Sequence, residues 1–230
     1  MKSKFGRVIT AMITPFAADG SLDVEGARSL AKWLVEQGNE ALVLAGTTGE
    51  SPTITQDEQI ELVEAVVDAV DVPIIAGAGS NDTRSAIANT QRCVDAGAQA
   101  ILSVTPYYNR PSQAGLMAHF AEVAASTELP IMLYDIPART GRALDADTIL
   151  QLADEVENIV AVKDAAGDVA STARLIAAAP EGFEVYSGED CLTLSLLAVG
   201  AVGTVSVASH WATPEMVVMM DAFFSGDMAT

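Results

Sequence analysis

Cysteine and histidine are nearly missing from this chain, with two of each in 230 residues. Cys93 and Cys191 are too few for a disulfide framework and show no metal-ligand spacing, so reduced thiols in the cytoplasm are the expectation. His119 and His210 lie far apart in sequence, and two distant histidines cannot build a zinc centre by themselves. Basic side chains are scarce as well: 12 Lys and Arg face 31 Asp and Glu, for a net charge of -19. Such a field repels phosphate backbones and anionic lipid, which argues against nucleic acid and membrane surfaces as partners. Long unbroken hydrophobic runs are also lacking. The uncharged stretch 191–214 could reach across a bilayer, but Thr193, Ser195, Gly200, Gly203, Thr204 and Ser206 interrupt it. Lys2, Lys4 and Arg7 precede an apolar run that is too short for an export signal and is broken by Pro15.

What is present suits a packed enzyme-sized core. The chain is 50% hydrophobic and 19% charged, outside the range of disordered or low-complexity sequences. Its length fits one domain over residues 1–230, because α/β barrels routinely use this many residues. Eight short apolar runs recur along it, at 8–13, 41–45, 72–76, 100–104, 131–134, 159–163, 184–186 and 202–207. Several are apolar throughout, as parallel strands covered on both faces must be. The segments between them read as helices. Leu30, Leu34 and Val35 share one face, Gly38 stands where a C-terminal cap belongs, and Thr55 with Glu58 spells a capping box. Ser112, Asp145 and Thr213 precede further helical patterns, with Pro214 at a first helical position. Strict alternation of eight strands with helices predicts an α/β fold of the (β/α)8 TIM-barrel type. An open nucleotide-binding sheet is poorly supported, since Gly77-Ala-Gly79 lacks the third glycine of that fingerprint.

A barrel builds its active site from the carboxyl ends of its strands. The residues at those positions are Thr14, the loop Gly46-Thr47-Thr48-Gly49-Glu50, Asn81, Tyr107, Tyr108, Tyr134, Arg139, Lys163, Ser187, Gly188 and Val205. Lys163 is the most informative, because the other three lysines, Lys2, Lys4 and Lys32, belong to the N-terminal tail or a helix surface. At the end of the run 159–162 its amine should be desolvated, which depresses its pKa and makes it a nucleophile for carbonyl carbon. Position alone leaves a second reading open, in which Lys163 pairs with Asp164 or snorkels to the rim. The Gly46–Gly49 loop offers N–H groups and two hydroxyls to a small carboxylate or phosphate, but it is not a P-loop; it equally suits an ordinary turn. Tyr134 is placed either to relay a proton or to pack in the upper barrel. Arg139 in the 137–141 loop either grips a carboxylate or is solvated. Tyr107 and Tyr108 stand side by side in a loop after a strand, one suited to cap the site and the other to pack at an interface. His119 and His210 read as structural, and Met216, Val217, Met219, Met220, Phe223 and Phe224 as an apolar helix face for core or contact.

Taken in order, Gly46-Thr-Thr-Gly-Glu50, Thr105-Pro-Tyr-Tyr-Asn-Arg-Pro111, Tyr134-Asp-Ile-Pro-Ala-Arg-Thr-Gly141 and Val162-Lys-Asp-Ala165 resemble a known family. It is the group of pyruvate-dependent class I aldolases and lyases that includes dihydrodipicolinate synthase and N-acetylneuraminate lyase. The resemblance runs over essentially the whole chain. It implies that Lys163 forms a Schiff base with pyruvate, whose carboxylate rests on Thr47 and Thr48. Tyr134 would shuttle protons, hydrogen-bonded to Thr48 and to Tyr108, with Gly188 and Val205 completing the substrate pocket. Thr-Thr in the first loop and Arg139-Thr140 look like the synthase side of the family, where an arginine suits the carboxylate of aspartate semialdehyde. The implied reaction is the condensation of pyruvate with that aldehyde, the first committed step towards diaminopimelate and lysine. No metal or organic cofactor is implied. In this family the second tyrosine of the pair enters the site of a neighbouring subunit, so Tyr108 implies a homo-oligomer, a dimer of dimers being usual.

Two departures bear on the resemblance. Family members usually continue into a small helical C-terminal region beyond the barrel, which this chain lacks. Members inhibited by lysine often carry histidines and a glutamate where this chain has Gln56, Gln59 and Ser85, so weak or absent lysine inhibition is expected despite Asn81 and Tyr107. Two alternatives keep the same residues: a lyase or aldolase of 2-keto-3-deoxy sugar acids or N-acetylneuraminate, and a non-catalytic barrel that only binds a keto acid.

Overall fold

A computed structural model describes residues 3–227 and 229. Each apolar run becomes a strand: β1 (Val8–Ala11), β2 (Ala41–Leu44), β3 (Ile74–Gly77), β4 (Ala100–Val104), β5 (Ile131–Asp135), β6 (Ile159–Asp164), β7 (Glu184–Ser187) and β8 (Gly203–Ser206). All neighbours pair in parallel, and β8 returns to β1 through Val8 opposite Thr204 and Ile9 opposite Val205, closing the barrel. Closure leaves no sheet edge open to pair with another chain. The helices are α1 (Val24–Glu36), α2 (Gln56–Val67), α3 (Thr83–Asp95), α4 (Gln113–Ala124), α5 (Pro137–Thr140), α6 (Ala146–Glu155), α7 (Val169–Ala178), α8 (Thr193–Ala198) and α9 (Ser209–Ser225). Among the described residues, no helix is long and apolar enough to cross a membrane.

Helix starts follow side-chain chemistry. The Thr55 hydroxyl accepts the Glu58 N–H at 3.2 Å while the Glu58 carboxylate accepts the Thr55 N–H at 2.7 Å. Asp23, Asp82, Ser112 and Asp168 likewise accept backbone N–H groups at the starts of α1, α3, α4 and α7, each worth about 1 kcal/mol. Two details differ from the plain pattern. Asp145 precedes α6 without a side-chain cap. The 137–141 loop holds the single turn α5, which Gly141 ends in the left-handed region at φ 70. The segment Ser209–Ser225 is kinked at the non-helical Ala212 (φ -124), and its second helical part opens at Thr213 with Pro214 in the first turn, as the sequence predicts. The proline ring sits where a first turn needs no N–H, so the restart keeps the helix-start chemistry.

Two apolar layers result. One lies between strands and helices and includes Leu34, Leu62, Val66, Ile101, Phe120, Leu152 and Val162. The other fills the barrel with Ile9, Val43, Ile75, Leu102, Met132, Tyr134, Ala161, Tyr186 and Val205. Each large side chain so buried contributes about 1.5–3 kcal/mol. The amino-terminal mouth of the barrel is sealed: Glu184 accepts the Lys4 N–H on both carboxylate oxygens (2.8 and 3.0 Å) and the Tyr186 hydroxyl at 2.7 Å, beneath the Phe5 ring.

One irregularity decides what faces inward. β5 and β6 pair Ile131 with Ile159 but Met132 with Ala161, so Val160 is an extra residue. Since a one-residue slip exchanges the faces of a strand, this bulge sets Ala161 and Lys163 on the same face as Met132 and Tyr134.

Candidate active site

Lys163 lies inside the barrel mouth, beside Tyr134 on β5 and Tyr186 on β7 in register. It is only 5% exposed, and its Nζ stands 4.4 Å from the centroid of the Tyr134 ring. Burial depresses its pKa to about 8, helped by the Arg139 charge and opposed by the Asp190 and Glu189 carboxylates. Compared with an ordinary amine at 10.5, that raises the neutral, nucleophilic fraction at pH 7 about 300-fold. The bland readings of this lysine fail. Asp164 faces the outer layer, where its carboxylate accepts the Thr172 hydroxyl at 2.6 Å and the Ala166 N–H at 2.9 Å. The four ion pairs among the described residues do not include Lys163.

Tyr134 is 4% exposed, and burial raises its phenol pKa against the pull of a hydrogen bond from Thr47 and of the Arg139 charge. It therefore holds its proton at neutral pH and can deliver it. Of the two adjacent threonines, Thr47 is the one that acts on the phenol's pKa, while Thr48 is half-buried one residue further along the turn. The turn itself is pinned from below by the Thr14 hydroxyl, which donates to the Gly49 carbonyl at 2.6 Å. A Cβ on Gly49 would stand 2.9 Å from the Met12 carbonyl, so only glycine lets the loop sit this low over β1.

Gly188 makes room for the lysine. A Cβ there would approach Lys163 Cγ and the Ala165 Cβ to 2.9 Å each. Val205 is fully buried on the inner face of β8 and contributes an apolar wall to the interior layer. Arg139 stands on the exposed turn α5, close enough for its charge to act on both Lys163 and Tyr134.

Tyr108 is not gathered into this site. It is 90% exposed at φ 71, on a loop whose neighbours are fastened: Asn81 donates to the Tyr107 carbonyl at 3.1 Å, Asn109 to the Asn81 carbonyl at 2.8 Å, and the Tyr108 N–H to the Thr140 carbonyl at 3.4 Å. Ala45, Glu50, Tyr108 and Arg110 are the non-glycine residues with positive φ among the described ones, and all lie in the two loops after β2 and β4. Strain of about 1–3 kcal/mol per residue is thus concentrated at the rim of this mouth.

Two acids there went unread in the sequence. Asp190 ties the loop after β7 to the start of α9, its Oδ2 accepting the N–H of Val207 (3.1 Å) and of Ala208 (2.8 Å) while its buried Oδ1 has no partner. Asp135 closes β5 on the outer face. The signal for Asp190 was its place two residues beyond Gly188. Gln56 and Gln59 are engaged internally, with Asn89 and Arg92 and with the Gly77 carbonyl and Cys93 respectively.

Comparison with known proteins now decides the family. The dihydrodipicolinate synthetase family profile matches residues 4–230. The chain belongs to that family. It is 52% identical over 226 residues to the 4-hydroxy-tetrahydrodipicolinate synthase of Acidothermus cellulolyticus, covering 97% of this chain and 72% of that one. Against the 4-hydroxy-tetrahydrodipicolinate synthase of Bacillus subtilis it is 48% identical, covering 98% and 78%. A dihydrodipicolinate synthase crystal structure from Bacillus anthracis superposes with a TM-score of 0.95 at 47% identity, over 98% of this chain and 77% of that one. The lysine-bound enzyme from Cyanidioschyzon merolae does so at 0.95 and 48%, over 96% and 76%. Within the dihydrodipicolinate synthetase family, this barrel shares the fold closely over about three quarters of its relatives' length.

Proposed function

We infer that this chain condenses pyruvate with L-aspartate 4-semialdehyde to 4-hydroxy-tetrahydrodipicolinate, the entry to diaminopimelate and lysine. The observation that carries the reading is a buried lysine of depressed pKa held over the Tyr134 ring at the carboxyl end of a barrel strand. Neutral Lys163 attacks the pyruvate ketone and loses water to give an imine. The imine nitrogen draws electrons from the methyl carbon, which gives up a proton to leave an enamine, and that carbon then attacks the aldehyde. Arg139 holds the aldehyde substrate's carboxylate while this bond forms. The substrate's own amine adds to the imine carbon and expels Lys163, closing the ring. Thr47 and Thr48 receive the pyruvate carboxylate, and Tyr134, relayed through Thr47, moves the protons.

Tyr108 completes the relay in a second copy of the chain. A phenol held in solvent on strained backbone and fastened by three loop hydrogen bonds is prepared for a partner. The active unit is therefore at least a dimer, with a dimer of dimers the family's form. Mixing Lys163→Met and Tyr108→Ala chains should restore part of the activity that each lacks alone; no recovery in a mixture that forms hybrid oligomers would contradict the exchange. Two unpaired cysteines, Cys93 and Cys191, suit a reducing cytoplasm.

The direct test is incubation with pyruvate and borohydride followed by peptide mapping. The expected result is a reduced adduct on Lys163 and turnover with aspartate semialdehyde. A folded protein without adduct would overturn the assignment.

A further inference from the structure

The two strands that present Lys163 and Tyr134 inward end one residue later in Asp164 and Asp135, also paired in register and facing outward. Their carboxylates line a cavity of about 360 Å³ between the barrel and α6 and α7. The charged groups facing Asp135 there are all acids: Asp164 from β6, Asp145 before α6 and Asp168 before α7. Asp164 has its partners in Thr172 and Ala166. Asp135 is 4% exposed; its Oδ1 accepts the Leu144 N–H at 3.0 Å, and the nearby Thr105 hydroxyl favours its ionised form.

Those two partners belong to the site. Thr105 opens the loop that carries Tyr107 to Arg110, and Leu144 closes the segment that carries Arg139. The Thr105 hydroxyl also lies 3.1 Å from the Tyr134 carbonyl, to which it donates. We propose that Asp135 is a positioning residue, a clasp behind the active site that fixes the Arg139 segment for the second substrate. The proposal rests on the pyruvate and semialdehyde reading given above.

A hydroxyl has one proton to donate. The Thr105 N–H holds the Tyr134 carbonyl at 2.9 Å in either state, while ionisation of Asp135 draws the Thr105 hydroxyl towards the carboxylate. A charge-assisted bond to the Leu144 N–H is stronger than a neutral one, so the clasp tightens on ionisation. Burial and the nearby Asp164 and Asp145 charges raise the Asp135 pKa to about 7, against the bonds from Leu144 and Thr105, which places this change in the working range.

Three variants test the clasp: Asp135→Ala, Asp135→Asn and Thr105→Val. Asp135→Ala should raise KM for aspartate semialdehyde about tenfold near pH 8 while pyruvate KM and adduct yield stay within about twofold, since only the second substrate depends on the clasp. In the unaltered protein the semialdehyde KM should fall about threefold between about pH 6 and pH 8. Asp135→Asn, which keeps an acceptor for Leu144 but cannot ionise, should hold the low-pH value throughout, and Thr105→Val should flatten the profile as well. If the alanine variant does not fold, the asparagine and valine profiles decide alone. An adduct on Lys163 with semialdehyde kinetics that superimpose in all folded variants would overturn the clasp and leave the function intact. Absence of adduct in the unaltered chain would overturn the function, and the clasp with it.

Discussion

The two mouths of this barrel bury an ionisable group each and treat it in opposite ways. At the amino-terminal mouth, Glu184 is 8% exposed and its carboxylate is met by two contacts from the Lys4 N–H and one from the Tyr186 hydroxyl. At the carboxyl-terminal mouth, Lys163 is 5% exposed and has an aromatic face beside it but no carboxylate within ion-pairing distance among the described residues. A buried charge that is fully hydrogen-bonded acts as structure, whereas one left without a counter-ion is pushed towards neutrality and becomes reactive. The same interior thus serves as a floor at one end and as the proposed reaction vessel at the other. Backbone strain follows the division, since all four non-glycine positive-φ residues among the described ones sit at the reactive rim.

The largest break in this contrast is Lys163→Met. Borohydride trapping with pyruvate and turnover should both vanish, while Tm should rise. The folded amine loses its proton near 8 and the unfolded one near 10.5, so the penalty for holding the charge is full below about pH 8 and fades as pH rises to 10.5. The gain in Tm should therefore be greatest below pH 8. An unchanged Tm at pH 6 would mean that the amine is solvated.

Gly188→Ala comes next. It drives a methyl to 2.9 Å from Lys163 Cγ, and displacing the proposed nucleophile by a fraction of an ångström should cost roughly 100-fold in kcat with a native circular dichroism spectrum. Tyr134→Phe should lower kcat by about 10²-fold and spare pyruvate binding, which stopped-flow imine formation against steady-state turnover would separate. Smallest in activity is Tyr186→Phe at the floor. Chemical denaturation should show a loss of about 1–2 kcal/mol with kcat within about twofold, although Tyr186 is the register neighbour of Lys163. A large fall in kcat there would show that the floor and the vessel are not separate.

Much of this was legible in the amino-acid order. Apolar runs bounded by helix caps such as Thr55 with Glu58 announce a βα repeat, and eight repeats close best as a barrel. Lys163 stood out because a lysine at the end of an apolar strand has nowhere wet to go. Partners were less visible. The resemblance names Thr48 beside the phenol and the pull on the phenol's pKa comes from Thr47, since two adjacent threonines in a tight turn differ in direction and not in chemistry. Asp135 and Asp190 were passed over, since an acid beside a motif says nothing of which loop its oxygens will reach. Pro214 signalled the helix start that follows the kink at Ala212, while local propensity does not show the short turn packed before it.

The sequence by itself determined the periodicity and the lysine at the end of an apolar strand, because those depend on near neighbours along the chain, whereas closure joins Val8 to Thr204. Which face of β6 the lysine takes was decided only by the tertiary structure. The run Ile159-Val160-Ala161-Val162 is apolar on both sides and fits either facing, and the extra residue Val160 is accommodated only where β6 meets β5. That slip of one residue, set by pairing with a strand some thirty positions earlier, turns Lys163 from the outer layer into the mouth beside Tyr134.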